Sequence, residues 1–281
     1  MKKNINIITE RNKVFETRVK PSCVTIVGFG PGDPNLLTIK GEKALKNADV
    51  IFYDDLIDKS YLGNFLCEKI YVGKRKGNHY KEQLEINKLL HKAALTGKKV
   101  VRLKGGDPSI FSRLGEEIQF LKDRSINVVI IPGITTASAA SAILGTSLTQ
   151  RGVSKSVAFC SGHKMKDIKI PNAETLVFYM ATSNLDKICQ KLISSDWKKE
   201  TPLAIISRVS FPDQEIYIGT IKEFTTNKKI ITPSIIIVGE VVEKDFITKY
   251  INQKAKAILS IITSDKYHAN NQAKKTELII V

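Results

Sequence analysis

The sequence predicts an α/β chain of two domains, and three observations carry that expectation. Short apolar runs alternate with helical stripes through the first half. Glycine-rich turns follow two of those runs, at Gly28 to Asp33 and at Gly105 to Pro108. Beyond Pro132-Gly133 strands dominate and a mixed sheet is expected. With 281 residues, 42% hydrophobic and 26% charged, the chain can bury a large core.

The first twenty or so residues are polar and expected to be loosely ordered, so residues 1–21 are set apart as an extension. "CVTIVG" then reads as a buried strand running into the turn "FGPGD". Leu37, Gly41, Ala44, Leu45 and Ala48 recur at helical spacing, and "ADVIFYDD" reads as the next strand. Ile86, Leu89, Leu90 and Ala93 form a second helical stripe that Gly97 can stop, followed by the strand "KKVVRL". "GEEIQFLKDRS" is a helix, "INVVIIPG" a strand, and "TTASAASAILG" a helix of small residues closed by Gly145. Regular alternation of this kind implies a mostly parallel sheet over residues 22–133. Residues 134–245 offer the strands "KSVAFCSGH", "TLVFYM", "PLAIIS", "EIYIGTI" and "SIIIVGEVV", with a helix around Asn184 to Leu192. Residues 246–281 read as a helical or flexible tail without an assignable role.

The balance of 44 Lys+Arg against 28 Asp+Glu, net +16, fits a polyanionic partner or a lysine-rich solvated surface. Basic residues are spread along the chain without the aromatic interleaving of RNA-binding modules, so no nucleic-acid partner is expected. No apolar run approaches the roughly 20 residues that cross a bilayer, and no secretory leader opens the sequence. A cytoplasmic, membrane-free protein is expected. Cys23, Cys67, Cys160 and Cys189 lack a CxxC pair, and the four histidines lack HxxxH spacing, so no metal site is expected.

The turn Gly28-Phe29-Gly30-Pro31-Gly32-Asp33 follows a strand as a dinucleotide fingerprint does, but it lacks the third glycine. Pro31 also removes an amide where a pyrophosphate would need one. Neither turn is a P-loop. Two glycine turns at the carboxyl ends of parallel strands still mark the edge where open α/β sheets bind ligands. A non-phosphate ligand fits better, held by close backbone approach and by Asp107 as an acceptor.

Five collinear motifs, "VGFGPGDPNLLTIKGEKALKNADVIFYDDLI", "VGKRKGNHYKEQLEIN", "GKKVVRLKGGDP", "VIIPGITTASAA" and "VFYMA", resemble the tetrapyrrole methylases. Within them the resemblance is to the uroporphyrinogen-III C-methyltransferases, over roughly residues 22 to 245. It implies two α/β domains with the active site in the cleft between them, a homodimer, and S-adenosylmethionine as methyl donor. The implied reaction methylates uroporphyrinogen III at carbons 2 and 7 to give precorrin-2, on the way to siroheme or cobalamin. A substrate with eight carboxylates gives the basic charge a purpose.

Carried over position by position, the resemblance assigns cofactor contacts to Pro31, Gly105, Gly106, Asp107, Ile110, Thr135, Thr136 and Met180. For Thr135-Thr136, helix capping accounts for the residues equally well. The resemblance makes Asp54 a proton acceptor and Lys74 a proton donor, and puts Arg113, Glu116 and Arg151 in the substrate pocket. Arg113 is read as a carboxylate clamp with Arg151, because a guanidinium is a poor base, although some members favour it as the base.

The family loop reads "GGDPFIFGRGGEE"; here it is "GGDPSIFSRLGEE". Ser109, Ser112 and Leu114 depart from it, as do Gln150, Ala181 and Val209 elsewhere. A left-handed backbone at Leu114 would be strained. The rival expectations are a precorrin-4 type methylase, which can carry serine after "GDP", and a degenerate module that binds without catalysis. A methylase standing alone, without the dehydrogenase and chelatase module fused to some bacterial relatives, is expected from the 281 residues.

Overall fold

A computed structural model describes residues 23–73, 79–163, 168–225, 229–243, 245, 247–253 and 277–280. The first sheet contains β1 (Val24–Gly28), β2 (Val50–Tyr53), β3 (Glu68–Tyr71), β4 (Val100–Lys104) and β5 (Val128–Ile131) in the order β3-β2-β4-β1-β5, all parallel. From β1 the chain crosses over toward β2, whereas from β4 it crosses toward β5. The reversal falls between the neighbours β1 and β4, whose carboxyl ends carry the two glycine turns.

Because the sheet is covered on both faces, its central strands are buried on alternate residues of both kinds. On one face Val27, Ile51, Val101 and Leu103 pack with Leu45 of α1 (Ile39–Lys46) and Leu62 of α2 (Lys59–Leu62). On the other, Val24, Ile26, Phe52 and Val100 pack with Ile86 and Leu90 of α3 (His79–Leu95) and Leu121 of α4 (Leu114–Lys122). Helix α1 begins where the Thr38 hydroxyl accepts from the Gly41 amide at 3.1 Å. The strand β3 escaped the sequence reading. It is a sheet edge with the sequence "EKIY", and only Ile70 turns inward to the core, so charged edge residues hide its apolar period.

The second sheet is mixed. It comprises β6 (Val157–Ser161), β7 (Thr175–Tyr179), β8 (Pro202–Ser207), β9 (Glu215–Thr220), β10 (Ser234–Val238) and β11 (Glu277–Ile280), in the order β11-β9-β8-β10-β7-β6. Strands β8, β9, β10 and β7 pair antiparallel, while β6 joins β7 and β11 joins β9 in parallel. Within the segment expected to be a helical or flexible tail, residues 247–253 are helical and Glu277–Ile280 form a sheet edge. Helix α5 (Thr136–Leu144) lays Ala137, Ala140 and Leu144 on one face of this sheet, and α6 (Leu185–Ile193) lays Ile188, Cys189 and Leu192 on the other. The small side chains of α5 bring its axis close to the sheet. Gly145 ends it at φ +69°, with the Tyr250 ring where a Cβ would be.

The two domains meet through the turn after β1. The Asp33 amide donates to Ser210 Oγ at 3.1 Å, and Gly32 lies against the Phe211 ring so closely that a Cβ would fall 2.5 Å from a ring carbon. A second contact sets the Phe111 ring centroid 5.2 Å from that of Tyr179.

Candidate active site

Three strand ends converge on one point. A Cβ on Gly28 would lie 2.6 Å from the Gly133 nitrogen and 2.7 Å from the Gly106 oxygen, and one on Gly133 would lie 2.4 Å from the same oxygen. No residue but glycine satisfies such contacts without moving the backbone. The turns after β1 and β4 are also paired, Gly106 donating to Gly30 O at 2.7 Å and Gly30 to Gly106 O at 3.2 Å. Close backbone packing therefore explains these glycines, Gly133 included, which the sequence reading had marked only as a boundary.

Asp107 fastens the cradle. One of its carboxylate oxygens accepts from the Gly133 amide at 3.0 Å, and the other accepts from the Ser109 amide at 2.7 Å and from the Ser109 hydroxyl. Pro31 is buried, Gly105 and Ile110 are half-buried, and Thr136 Oγ1 is the nearest atom beside the position a Cβ would take on Gly106. Gly105 leaves room for Leu56, whose Cβ would be 2.7 Å from an added methyl.

Thr135 occupies the N-cap position of α5, but its hydroxyl makes no capping bond. It pairs instead with the Tyr179 hydroxyl at 2.7 Å, which also accepts from the Ala137 amide at 3.2 Å. Burial pushes the Tyr179 phenol up. The next residue, Met180, has φ +54° and is 49% exposed, so β7 ends by turning an apolar side chain outward. Phe111, with φ +50°, is likewise exposed. Both residues hold an exposed apolar side chain on a left-handed backbone, which is uncommon outside glycine.

The positive φ feared at Leu114 falls instead on Phe111 and Arg113. Leu114 is the first residue of α4 and packs against the core cluster containing Leu121. Ala181 is buried against Gly162, Val209 is buried, Ser112 donates to Pro108 O, and Gln150 pairs with Ser154 in an exposed turn. The six departures are thus absorbed locally.

Arg113 (φ +59°) precedes α4, with its Nε 3.9 Å from Glu116 Oε1. Arg151 is exposed in the turn between Gln150 and Ser154. Lys74 lies outside the described residues.

Asp54, immediately after β2, belongs to a charge cluster that the sequence reading did not anticipate. Arg102 Nη2 donates to both Asp54 oxygens at 2.7 and 2.9 Å, and its Nε lies 3.3 Å from Glu117 Oε1. Lys104 Nζ donates to the same Glu117 oxygen at 2.8 Å. Burial pushes the Glu117 carboxyl up, but the Lys104 and Arg102 charges outweigh it and hold the group below the usual range. Burial, reinforced by Arg102, pulls the Lys104 ammonium down. The signal was present in "VVRLK", where two cations alternate on one face of an otherwise apolar strand, but their partners lie on other elements. Among the described residues no group of three or more His, Cys, Asp or Glu could hold a metal, and no helix is long and apolar enough to cross a membrane.

A family model described as Tetrapyrrole (Corrin/Porphyrin) Methylases matches residues 23–225. The chain is 46% identical over 233 residues to the uroporphyrinogen-III C-methyltransferase of Methanocaldococcus jannaschii, covering 78% of this chain and 96% of that protein. It is 40% identical over 264 residues to a siroheme synthase of Psychrobacter cryohalolentis, covering 88% of this chain and 50% of that one, so it spans about half the length of this relative. Among solved structures, the uroporphyrin-III C-methyl transferase from Thermus thermophilus complexed with S-adenyl homocysteine superimposes with a TM-score of 0.70 at 34% identity, over 79% of this chain and 99% of that one. A cobalt precorrin-4 methyltransferase gives 0.68 at 25% identity, over 78% and 95%.

Proposed function

Since the chain belongs to the tetrapyrrole (corrin/porphyrin) methylase family, we propose that it transfers methyl groups from S-adenosylmethionine to carbons 2 and 7 of uroporphyrinogen III, giving precorrin-2. The observation that carries the substrate is the gradient of similarity. Among solved structures identity is 34% to a uroporphyrin-III C-methyl transferase against 25% to a precorrin-4 enzyme, and in sequence it reaches 46% along nearly the whole of a uroporphyrinogen-III methyltransferase.

The cradle suits the donor. Gly105, Gly106 and Ile110 offer backbone groups to its amino-acid and ribose portions, Asp107 keeps one lone pair on Oδ2 for a hydroxyl or ammonium donor, and Thr135, Thr136 and Met180 are further contacts in this reading. Pro31, buried in the turn after β1, is the remaining cofactor contact in this reading. S-adenosylmethionine supplies a methyl group already activated on a sulfonium.

An electron-rich pyrrole carbon attacks that methyl in line, the sulfur keeps the pair of the broken S–C bond, and the positive charge passes to the ring system. Positioning supplies most of the acceleration. Loss of a proton from the macrocycle restores neutrality, and Asp54 is the acceptor in this reading, with Lys74 as donor. Arg113, Glu116 and Arg151 line the substrate pocket in this reading, and the two arginines clamp substrate carboxylates. The net charge of +16 favours capture of a polyanion. A cytoplasmic homodimer completes the proposal, the exposed Val129 and Ile130 on the edge strand β5 favouring the dimer.

The test is an anaerobic incubation with uroporphyrinogen III and methyl-labelled S-adenosylmethionine, followed by product mass. Two added methyl groups, lost in Asp54→Asn without loss of fold, are expected. Transfer to a precorrin-4 type substrate alone would replace the substrate, and cofactor binding without transfer to either would identify a retired enzyme.

A further inference from the structure

Most of the buried charge in the first domain serves a single side chain. Arg102 is 2% exposed and all of its donor positions are committed: Nη2 to Asp54, Nε to Glu117, and Nη1 to the carbonyls of Phe52 and Leu103 at 3.4 and 3.0 Å. Glu117, fully buried, is fixed in turn by Lys104 and by Gln83 Nε2 at 3.2 Å, and Gln83 also donates to Asn87 at 3.0 Å. The guanidinium is therefore gripped from β4, α4 and the end of β2, while α3 reaches it only through the bond from Gln83 to Glu117. Two cations face two anions, so the cluster is neutral as a unit.

Its members differ in one respect. Arg102, Lys104 and Glu117 are sealed, whereas the Asp54 side chain is 27% exposed, at the carboxyl end of β2. Burying three charges costs much desolvation, and apolar side chains of similar volume stabilise a core as well or better. The arrangement gains little for stability, but it fixes the direction of one carboxylate at the sheet edge where ligands bind.

We propose that Arg102 is a positioning residue for methyl transfer: pinned by Glu117, its guanidinium holds the Asp54 carboxylate in one orientation at the active-site edge. The role rests on reading Asp54 as the proton acceptor. Arg102 touches no substrate and acts only through Asp54. The groups around the pair are Glu117 and Lys104 within the cluster and Asp55, which is engaged by Tyr71.

A double-mutant cycle tests this on the full chain with Arg102→Gln, Asp54→Asn and the combination. Arg102→Gln leaves the Glu117–Lys104 pair intact and exposes Asp54 to water. Its kcat should fall about tenfold or more, while KM and the affinity for S-adenosylhomocysteine stay within about threefold. In the Asp54→Asn background the same substitution should cost nothing further, because coupled residues are non-additive. An equal loss in both backgrounds, or an unchanged kcat, overturns the proposal. If Arg102→Gln does not fold, Arg102→Lys keeps the charge but not the two-point grip, and is expected to lower kcat less, again only when Asp54 is present. A crystal structure of the folded variant gives an answer that needs no turnover: Asp54 should leave its wild-type rotamer, and an unmoved carboxylate overturns the proposal. Failure of the wild type to methylate uroporphyrinogen III would instead refute the substrate assignment, leaving the crystallographic result to decide the role of Arg102.

Discussion

The backbones of Gly28 and Gly133, at the ends of neighbouring strands, are in contact: a Cβ on Gly28 would lie 2.6 Å from the Gly133 nitrogen. The atoms it would meet are backbone, so no rotamer change can relieve the clash. Gly133→Ala should lose roughly 1–3 kcal/mol or more of stability, as overpacked sites do, and should weaken S-adenosylhomocysteine binding. Gly115→Ala, within α4 and with nothing within 4 Å of the added methyl, is the control. It should gain about 0.4–1 kcal/mol. Thermal unfolding of the two variants separates close approach from chain flexibility.

The Tyr179 hydroxyl ties Thr135 and the Ala137 amide to the end of β7. Tyr179→Phe removes both bonds and leaves an amide in the first turn of α5 without this partner. A loss of about 1–3 kcal/mol is expected, with several-fold weaker binding of S-adenosylhomocysteine by calorimetry. Unchanged affinity would detach Thr135 from the cofactor site.

The Glu117 carboxyl is held below its ordinary value in the folded protein. At acid pH the unfolded chain therefore takes up the proton first, and stability falls as pH drops from the unfolded value of about 4.3 through the folded one. Chemical denaturation between pH 6 and 3 should show a steep loss. Glu117→Gln should be less stable near neutrality and should show a shallower loss below pH 5.

At the alkaline end the order reverses. Tyr71 is raised from 10.0 to about 12, chiefly by its hydrogen bond to Asp55, and Cys189 is raised from 9.0 to about 12 by burial. Both groups keep their protons longer when folded, so their contributions are intact below the unfolded values and are lost as pH climbs toward 12. Tyr71→Phe should flatten the alkaline limb of a stability profile. An unaltered limb would remove Tyr71 from its cause.

Arg113 and Arg151 are assigned to carboxylates on the substrate. Arg113→Ala and Arg151→Ala should each raise KM for uroporphyrinogen III, with S-adenosylhomocysteine affinity unchanged, and the wild-type KM should rise with salt as exposed charges are screened. A loss confined to kcat for Arg113→Ala would favour its reading as a base.

Leu114 stands where the family carries glycine, yet it contributes to the core cluster with Leu121. Leu114→Gly should cost about 1 kcal/mol from helix propensity alone, more with the lost packing, and should not raise activity.

The sequence by itself determined the alternation of strands and helices, because buried strands and amphipathic helices write their periods directly into the order of apolar residues. It also determined the two glycine turns and the family, since collinear motifs need no coordinates. The strand Glu68–Tyr71 stayed hidden because an edge strand need bury only one side chain in two. Tertiary structure alone decided why the glycines are glycines, since the atoms that exclude a Cβ come from strands distant in sequence. It moved the left-handed backbone from Leu114 to Phe111 and Arg113, and turned the Thr135 hydroxyl from capping to Tyr179. Above all it brought Arg102, Lys104 and Glu117 together beneath Asp54. Sequence spacing reports which face of one element a side chain occupies, whereas the partner of a buried charge is fixed by how four elements pack.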